Sequence, residues 1–230
     1  MSDLERPLFN QVVVLTGGAG GIGTATAKAL AAAGAKVAIG DLDGDAAAAL
    51  ADSLGEGHYG AQLDVTDYAG FEKFVDEAEA ELGPLYAIVN NAGLMPLNAF
   101  DEEPREITEL QINVNLYGVI NGTQIAMHKL KPLRRGQIVN IASQAGKTGF
   151  PGGATYCATK FAVVGLSEAV RNELHGTGVG VTCVMPGVVD TRLGAGLSQP
   201  GFVELVTPQE VADGIVRGIV EDRPEIWLPK

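Results

Sequence analysis

Short runs of apolar, largely β-branched residues alternate along the chain with longer segments that mix apolar and polar positions. Gln11–Thr16 (QVVVLT), Lys36–Asp41 (KVAIGD), Tyr86–Asn90 (YAIVN), Gln137–Ala142 (QIVNIA) and Val179–Met185 (VGVTCVM) are almost uninterrupted apolar runs, the pattern of strands buried on both faces. A further strand reads as ending at Asp64 and Val65, and Glu225–Leu228 reads as a closing strand. Between them Ile22–Ala33, Gly44–Leu54, Tyr68–Leu82, Ile107–Leu133 and Gly153–Leu174 have helical character. A last helix starts at Thr207, where Pro208 suits the first turn and Glu210 completes a capping box, and runs to Val220. Strand alternating with helix requires crossover connections. The fold class expected is therefore α/β, one doubly wound Rossmann-type domain over residues 1–230 with a parallel sheet of about seven strands and helices on both faces. The irregular stretch 192–206 is the expected substrate flap.

Composition narrows the function. The net charge is −12 with no basic run to reverse it locally, which disfavours nucleic acid and anionic membrane surfaces as partners. No stretch of about 18 apolar residues offers a membrane span and the first ten residues carry no secretory signal. Cys157 and Cys183 form no disulfide framework and no metal spacing, so both are expected as reduced core thiols of a cytoplasmic chain. His58, His128 and His175 fit no metal or triad spacing either, and no metal is expected. The unusual number is 31 glycines, which implies backbone that turns tightly or approaches something closely.

The densest glycine cluster, Thr16-Gly17-Gly18-Ala19-Gly20-Gly21-Ile22-Gly23, follows the first strand and opens the first helix. There, absent side chains let backbone amides and the helix N-terminus approach a pyrophosphate. By spacing alone the cluster fits both GxxxGxG and GxGxxG, the latter through Gly18, Gly20 and Gly23. Asp41 ends the second strand 18 residues beyond Gly23, where a carboxylate accepts hydrogen bonds from an adenosine ribose and repels a 2′-phosphate. With no Lys or Arg in Gly17–Gly23 or at Leu42 and Asp43, NAD is favoured over NADP. Asp41 could instead serve only to cap the following turn. Asp64 and Val65 are candidates to border the adenine.

A second constellation is Tyr156-Cys157-Ala158-Thr159-Lys160. Positions i and i+4 share a helix face, so phenol and ammonium can serve one site. Ser143 lies 13 residues upstream at the end of the fifth strand, where α/β sheets present ligand-facing groups. A free phenol has a pKa near about 10, and a nearby ammonium favours its ionised form. The three side chains suit hydride chemistry, with the serine hydroxyl holding a substrate oxygen.

In these motifs the chain resembles the short-chain dehydrogenase/reductase family from about Gln11 to Val220. The family's TGxxxGxG stands as Thr16–Gly23, and the resemblance sets the register on Gly17, Gly21 and Gly23, with Ile22 between them. Its NNAG motif is Asn90-Asn91-Ala92-Gly93, which by resemblance borders the adenosine side and steadies the central sheet; Asn90 reads equally well as structural. The family's helix asparagine matches Asn115, which implies upkeep of a proton-relay water beside the lysine. Ser143, Tyr156 and Lys160 match the substrate-orienting serine, the acid/base tyrosine and the lysine that binds the nicotinamide ribose. The PGxxxT motif is Pro186-Gly187-Val188-Val189-Asp190-Thr191, whose threonine contacts the carboxamide in the family.

The resemblance implies an NAD(H)-dependent oxidoreductase that interconverts a secondary alcohol and a ketone, with Tyr156 as general acid/base. Two other readings stay open: an epimerase or dehydratase that keeps NAD bound, and a non-catalytic NAD sensor. Gln144, Phe150, Met95, Met185 and Leu193 fall near the pocket by motif and suggest a largely apolar mouth with one amide. Phe161, Val164 and Leu166 read as core or helix-pairing contacts. The segment between Thr191 and Thr207 is short, and the sequence ends at Pro229-Lys230 without the glycine-containing tail of many relatives. A homodimer through the helices at Ile107–Leu133 and Gly153–Leu174 is expected more readily than a homotetramer.

Overall fold

In the computed structural model, which describes residues 7–190 and 205–229, strands and helices alternate as the apolar pattern requires. The order is β1 (Val12–Thr16), α1 (Gly21–Ala32), β2 (Lys36–Asp41), α2 (Gly44–Leu54), β3 (Tyr59–Gln62), α3 (Tyr68–Leu82) and β4 (Leu85–Asn90). It continues with α4 (Arg105–Ile112), α5 (Gly118–Leu133), β5 (Gly136–Ile141), α6 (Ala154–Glu173), β6 (Val179–Pro186), α7 (Pro208–Glu221) and β7 (Glu225–Leu228). All seven strands pair in parallel in the order β3-β2-β1-β4-β5-β6-β7.

Strand alternation divides the core into two layers. Val13 and Leu15 of β1, with Val37, Ile39, Val89, Val139 and Val184, meet Ala27 and Leu30 of α1, Ala47 of α2 and Val211, Ile215 and Ile219 of α7. Val12 and Val14 point the other way and, with Ile88, Ile138 and Val181, meet α3, α5 and α6 through Phe71, Ile125 and Val170. A strand with a helical layer on each face is buried along its length and so reads as a near-continuous apolar run, and β1 and β6 are buried throughout. Truncating a fully buried side chain such as Leu30 to alanine costs about 2–5 kcal/mol in such packing.

Two elements differ materially from the sequence pattern. β3 ends at Gln62, so Asp64 and Val65 lie in the following loop; this edge strand is only partly buried and its apolar run is correspondingly weak. The expected single helix Ile107–Leu133 is two helices joined by a π-helical turn at Asn113–Tyr117, a widening that leaves the apolar pattern unchanged and places Asn115 inside it. Of the expected flap, Val206 is buried and bridges to Val189, while 192–204 and Thr191 lie outside the described residues. The capping box of α7 forms as read, with Thr207 and Glu210 each holding the other's backbone amide.

Candidate active site

The chain steps from β3 at one edge to β4 beside β1, so the sheet order reverses between β1 and β4. A crevice opens at such a switch point, beyond the carboxyl ends of the strands. Gly17–Gly23 leaves β1 there, Asn91-Ala92-Gly93 leaves β4, Ser143 follows β5, and Pro186-Gly187 closes β6. Four motifs separated by up to 170 residues along the chain thus converge on one end of the sheet.

The glycine turn is bound to the β4 exit. Asn91 donates from its side-chain amide to the carbonyls of Thr16 and Gly17, both at 2.9 Å, while Thr16 Oγ1 accepts from the amides of Asn91 and Ala92 at 3.0 Å. Gly17 has φ +63°, and a Cβ there would sit 2.7 Å from Ala92 Cα; at Gly23 a Cβ would collide with the Gly17 carbonyl. These two positions require glycine so that loop and helix can close-pack. Helix α1 starts at Gly20 with no side-chain cap and no acidic residue in its first turn. Its leading amides, including Gly21 and Ile22, therefore remain available to an anion, which the helix dipole favours. That arrangement fits a pyrophosphate.

Asp41 faces this turn. Its Oδ2 accepts from Ala19 N at 2.9 Å and its Oδ1 from Asp43 N at 3.2 Å, leaving lone pairs for a ribose hydroxyl. The capping of α2 falls to Asp43, which accepts from Ala46 N. Asp64 turns onto its own loop, accepting from Thr66 N and Thr66 Oγ1. Val65 is buried, and its carbonyl accepts from Asn121 Nδ2 at 2.9 Å.

Tyr156 and Lys160 occupy adjacent turns of α6, both buried, with Lys160 Nζ 5.7 Å from the Tyr156 ring centroid. Lys160 donates to the carbonyl of Ile141 at 2.8 Å. Burial disfavours its charge and lowers its pKa to about 8. Burial likewise pushes the Tyr156 phenol up to about 12, with the nearby Ser143 hydroxyl acting in the opposite direction. Ser143 Oγ accepts from Ala145 N at 3.1 Å and its hydroxyl makes a long contact of 3.4 Å with the Pro186 carbonyl.

Asn115, fully buried in the π-helical turn, exchanges two hydrogen bonds with Leu94, from Nδ2 to the carbonyl at 2.8 Å and from the Leu94 amide to Oδ1 at 2.9 Å. A Cβ on Gly93 would lie 3.2 Å from Asn115 Oδ1 and 3.7 Å from Lys160 Nζ, so Gly93, Asn115 and Lys160 share one neighbourhood. Asn90 is held in a buried network instead, donating to Asn140 Oδ1 at 2.8 Å and contacting Thr123, with Asn140 passing a bond to Ser167.

The pocket residues separate on inspection. Met95 and Phe150 pack on the cluster of Ala145, Tyr156 and Cys157, the Phe150 and Tyr156 rings 6.4 Å apart. Met185 is fully buried in a cluster with Val119, Val163 and Cys183. Gln144 Nε2 donates to the Leu228 carbonyl at 2.9 Å, which also accepts from Gly187 N at 2.7 Å. The end of β7 thereby fixes both the Ser143 loop and the β6 exit, a role that no local signal at Gln144 announces. Val189 is a core residue; Leu193 lies outside the described residues. His58 accepts the Val37 amide and is structural. A cleft of about 470 Å³ between Arg134, Gln137, Arg171, His175 and Asp222 opens at the opposite end of β5 and β6 and contains none of these motifs.

The chain is similar in sequence and fold to known proteins. A family model described as short chain dehydrogenase matches residues 11–200. D-threitol dehydrogenase of Mycolicibacterium smegmatis is 37% identical over 195 residues, covering 84% of this chain and 75% of the relative. 3beta-hydroxysteroid dehydrogenase 2 of Eggerthella lenta is 37% identical over 205 residues, covering 84% of this chain and 76% of the relative. Among solved structures, the 3-ketoacyl-(acyl-carrier-protein) reductase of Brucella melitensis, complexed with NADH, superposes with a TM-score of 0.89 at 25% identity over 96% of this chain and 97% of that one.

Proposed function

The chain belongs to the short-chain dehydrogenase/reductase family, and on that premise we propose that it is an NAD(H)-dependent oxidoreductase interconverting a secondary alcohol and a ketone. The observation that carries the reading is the placement of Tyr156 and Lys160, both buried on adjacent turns of α6 with Lys160 Nζ 5.7 Å from the phenol ring centroid, at the same end of the sheet as Ser143. The threitol and hydroxysteroid dehydrogenases it resembles are both named for oxidation of alcohols.

When bound, the nicotinamide ring supplies or accepts the hydride. In the reducing direction Tyr156 delivers its Oη proton to the substrate oxygen, and in oxidation the same oxygen receives it. Ser143 already accepts from Ala145 N, so its own hydrogen is free to orient the substrate oxygen once it leaves the long Pro186 contact. Lys160 has one ammonium hydrogen on Ile141 and can offer the others to the nicotinamide ribose. Asn115 holds Leu94, and through it the backbone at Gly93, next to the ammonium that a proton relay would use.

For the coenzyme, the amides of Gly17, Gly21, Ile22 and Gly23 take the pyrophosphate and Asp41 takes the adenosine ribose, the basis for NAD over NADP. Asp64, Val65, Asn91, Ala92 and Gly93 border the adenosine side, and Pro186, Gly187, Val189 and Thr191 the nicotinamide side. The chain acts as one domain, with buried thiols suited to the cytoplasm. Leu110, Tyr117 and Phe161 are 45–54% exposed on and between α4 and α6, which supports pairing with further copies of the chain. The test is NADH consumption across a carbonyl panel by the parent and Tyr156→Phe: a loss of at least about 100-fold is expected with coenzyme binding kept. Near-parent turnover in Tyr156→Phe overturns the assignment.

A further inference from the structure

The loop from β4 to α4 is attached to the start of α6 at two points. Asn98 N donates to the Gly152 carbonyl at 3.0 Å. Glu103, closing the short turn at Phe100–Glu102, gathers three side-chain donors: the Thr108 hydroxyl at 2.7 Å and the Gln111 amide at 3.1 Å from α4, and the Thr155 hydroxyl at 2.5 Å from the first turn of α6. Thr155 is buried and immediately precedes Tyr156. Gln111 is fully buried with its Oε1 lacking a partner, so its amide depends on the Glu103 bond. Met95, on the same loop, packs against the cluster of Ala145, Tyr156 and Cys157. Bonds to an ionised acceptor are about twice as strong as neutral ones. Burial pushes the Glu103 carboxyl up, but its three donors outweigh that and hold it below its ordinary value.

We propose that Glu103 is a positioning residue for Tyr156: through Thr155 it locks the Met95-bearing loop to the first turn of α6 and sets where the phenol meets the substrate oxygen. It touches no reacting atom. The inference rests on the proposed role of Tyr156. A side chain that governs placement of the proton donor affects the chemical step, whereas one that only stabilises the fold does not, and a small misplacement is enough to slow reaction tenfold or more.

The experiment compares Thr155→Val, Thr155→Ser, Glu103→Gln and the Thr155→Val/Glu103→Gln pair with the parent. It reads kcat and KM for a carbonyl that the parent reduces, NADH Kd by fluorescence, and thermal midpoint. Thr155→Val and Glu103→Gln are expected to lower kcat roughly tenfold while NADH Kd stays within about twofold. Thr155→Ser, which keeps the hydroxyl, should retain most of kcat, and the pair should lose no more than the worse single change, because both remove one interaction. Parent-like kcat in folded Thr155→Val overturns the proposal, as does equal impairment of Thr155→Ser. If Tyr156→Phe loses turnover while Thr155→Val keeps it, only the positioning role falls. If Tyr156→Phe turns over like the parent, the tyrosine assignment falls and this proposal with it.

Discussion

Lys160 reaches past Tyr156 to the carbonyl of Ile141, donating at 2.8 Å while lying 5.7 Å from the phenol ring centroid. The ammonium is buried, and among the described residues no carboxylate is bonded to it, so its charge is costly, and its pKa falls from 10.5 to about 8. Between those values the unfolded chain holds a proton that the folded chain has released, so this group makes stability rise with pH across the window; below pH 8 both states are protonated and the cost is fully present. The unfolding free energy of the parent minus that of Lys160→Met should therefore be more favourable at pH 9.5 than at pH 7, measured in urea. An equal difference at both pH values contradicts the burial of a charged lysine.

Asp41 meets the glycine turn through Ala19 N at 2.9 Å, which aims its carboxylate at the coenzyme side of β2. Removing that charge removes repulsion of a 2′-phosphate. Asp41→Ala should raise the ratio of kcat/KM for NADPH over NADH by about tenfold or more, about 1.4 kcal/mol. A parent enzyme that already prefers NADPH would show that Asp41 does not select the coenzyme.

Asn91 clamps the turn with two amide bonds to Thr16 and Gly17. Each such bond is worth roughly 0.5–1.5 kcal/mol net, so Asn91→Ala should weaken NADH binding on the order of tenfold by fluorescence titration while the far-ultraviolet spectrum stays unchanged. Unaltered affinity would show that the turn keeps its shape without the clamp.

Gly122 of α5 lies under Asn90, where an added Cβ would collide with Asn90 Oδ1 and come within 2.9 Å of the Phe71 ring. Overpacking of this kind costs about 1–3 kcal/mol. For a domain of this size each 1 kcal/mol lowers the thermal midpoint by roughly 2–4 °C, so calorimetry of Gly122→Ala should show a drop of several degrees. A midpoint equal to the parent's would mean that the network has room to move.

The sheet was legible because a strand covered on both faces is apolar at most positions, and β1, β2, β4, β5 and β6 are. β3, only partly buried at the edge, carried a weaker run and ends three residues before Val65. The motif residues were legible because phosphate turns, a phenol with a lysine one turn away and helix caps are local chemistry, written within a few positions of one another. Other features depend on which distant segments the fold brings side by side. The pairing of Glu103 with Thr155 spans 52 residues, and that of Gln144 with the Leu228 carbonyl spans 84. The apolar pattern of Ile107–Leu133 is the same with or without the π-helical turn that aims Asn115 at Leu94. Sequence alone determined most of the elements and singled out the candidate site residues, since those follow from residue type and spacing. Tertiary structure decided which groups hold them in place, because a hydrogen bond depends on proximity in space and the chain order does not encode it.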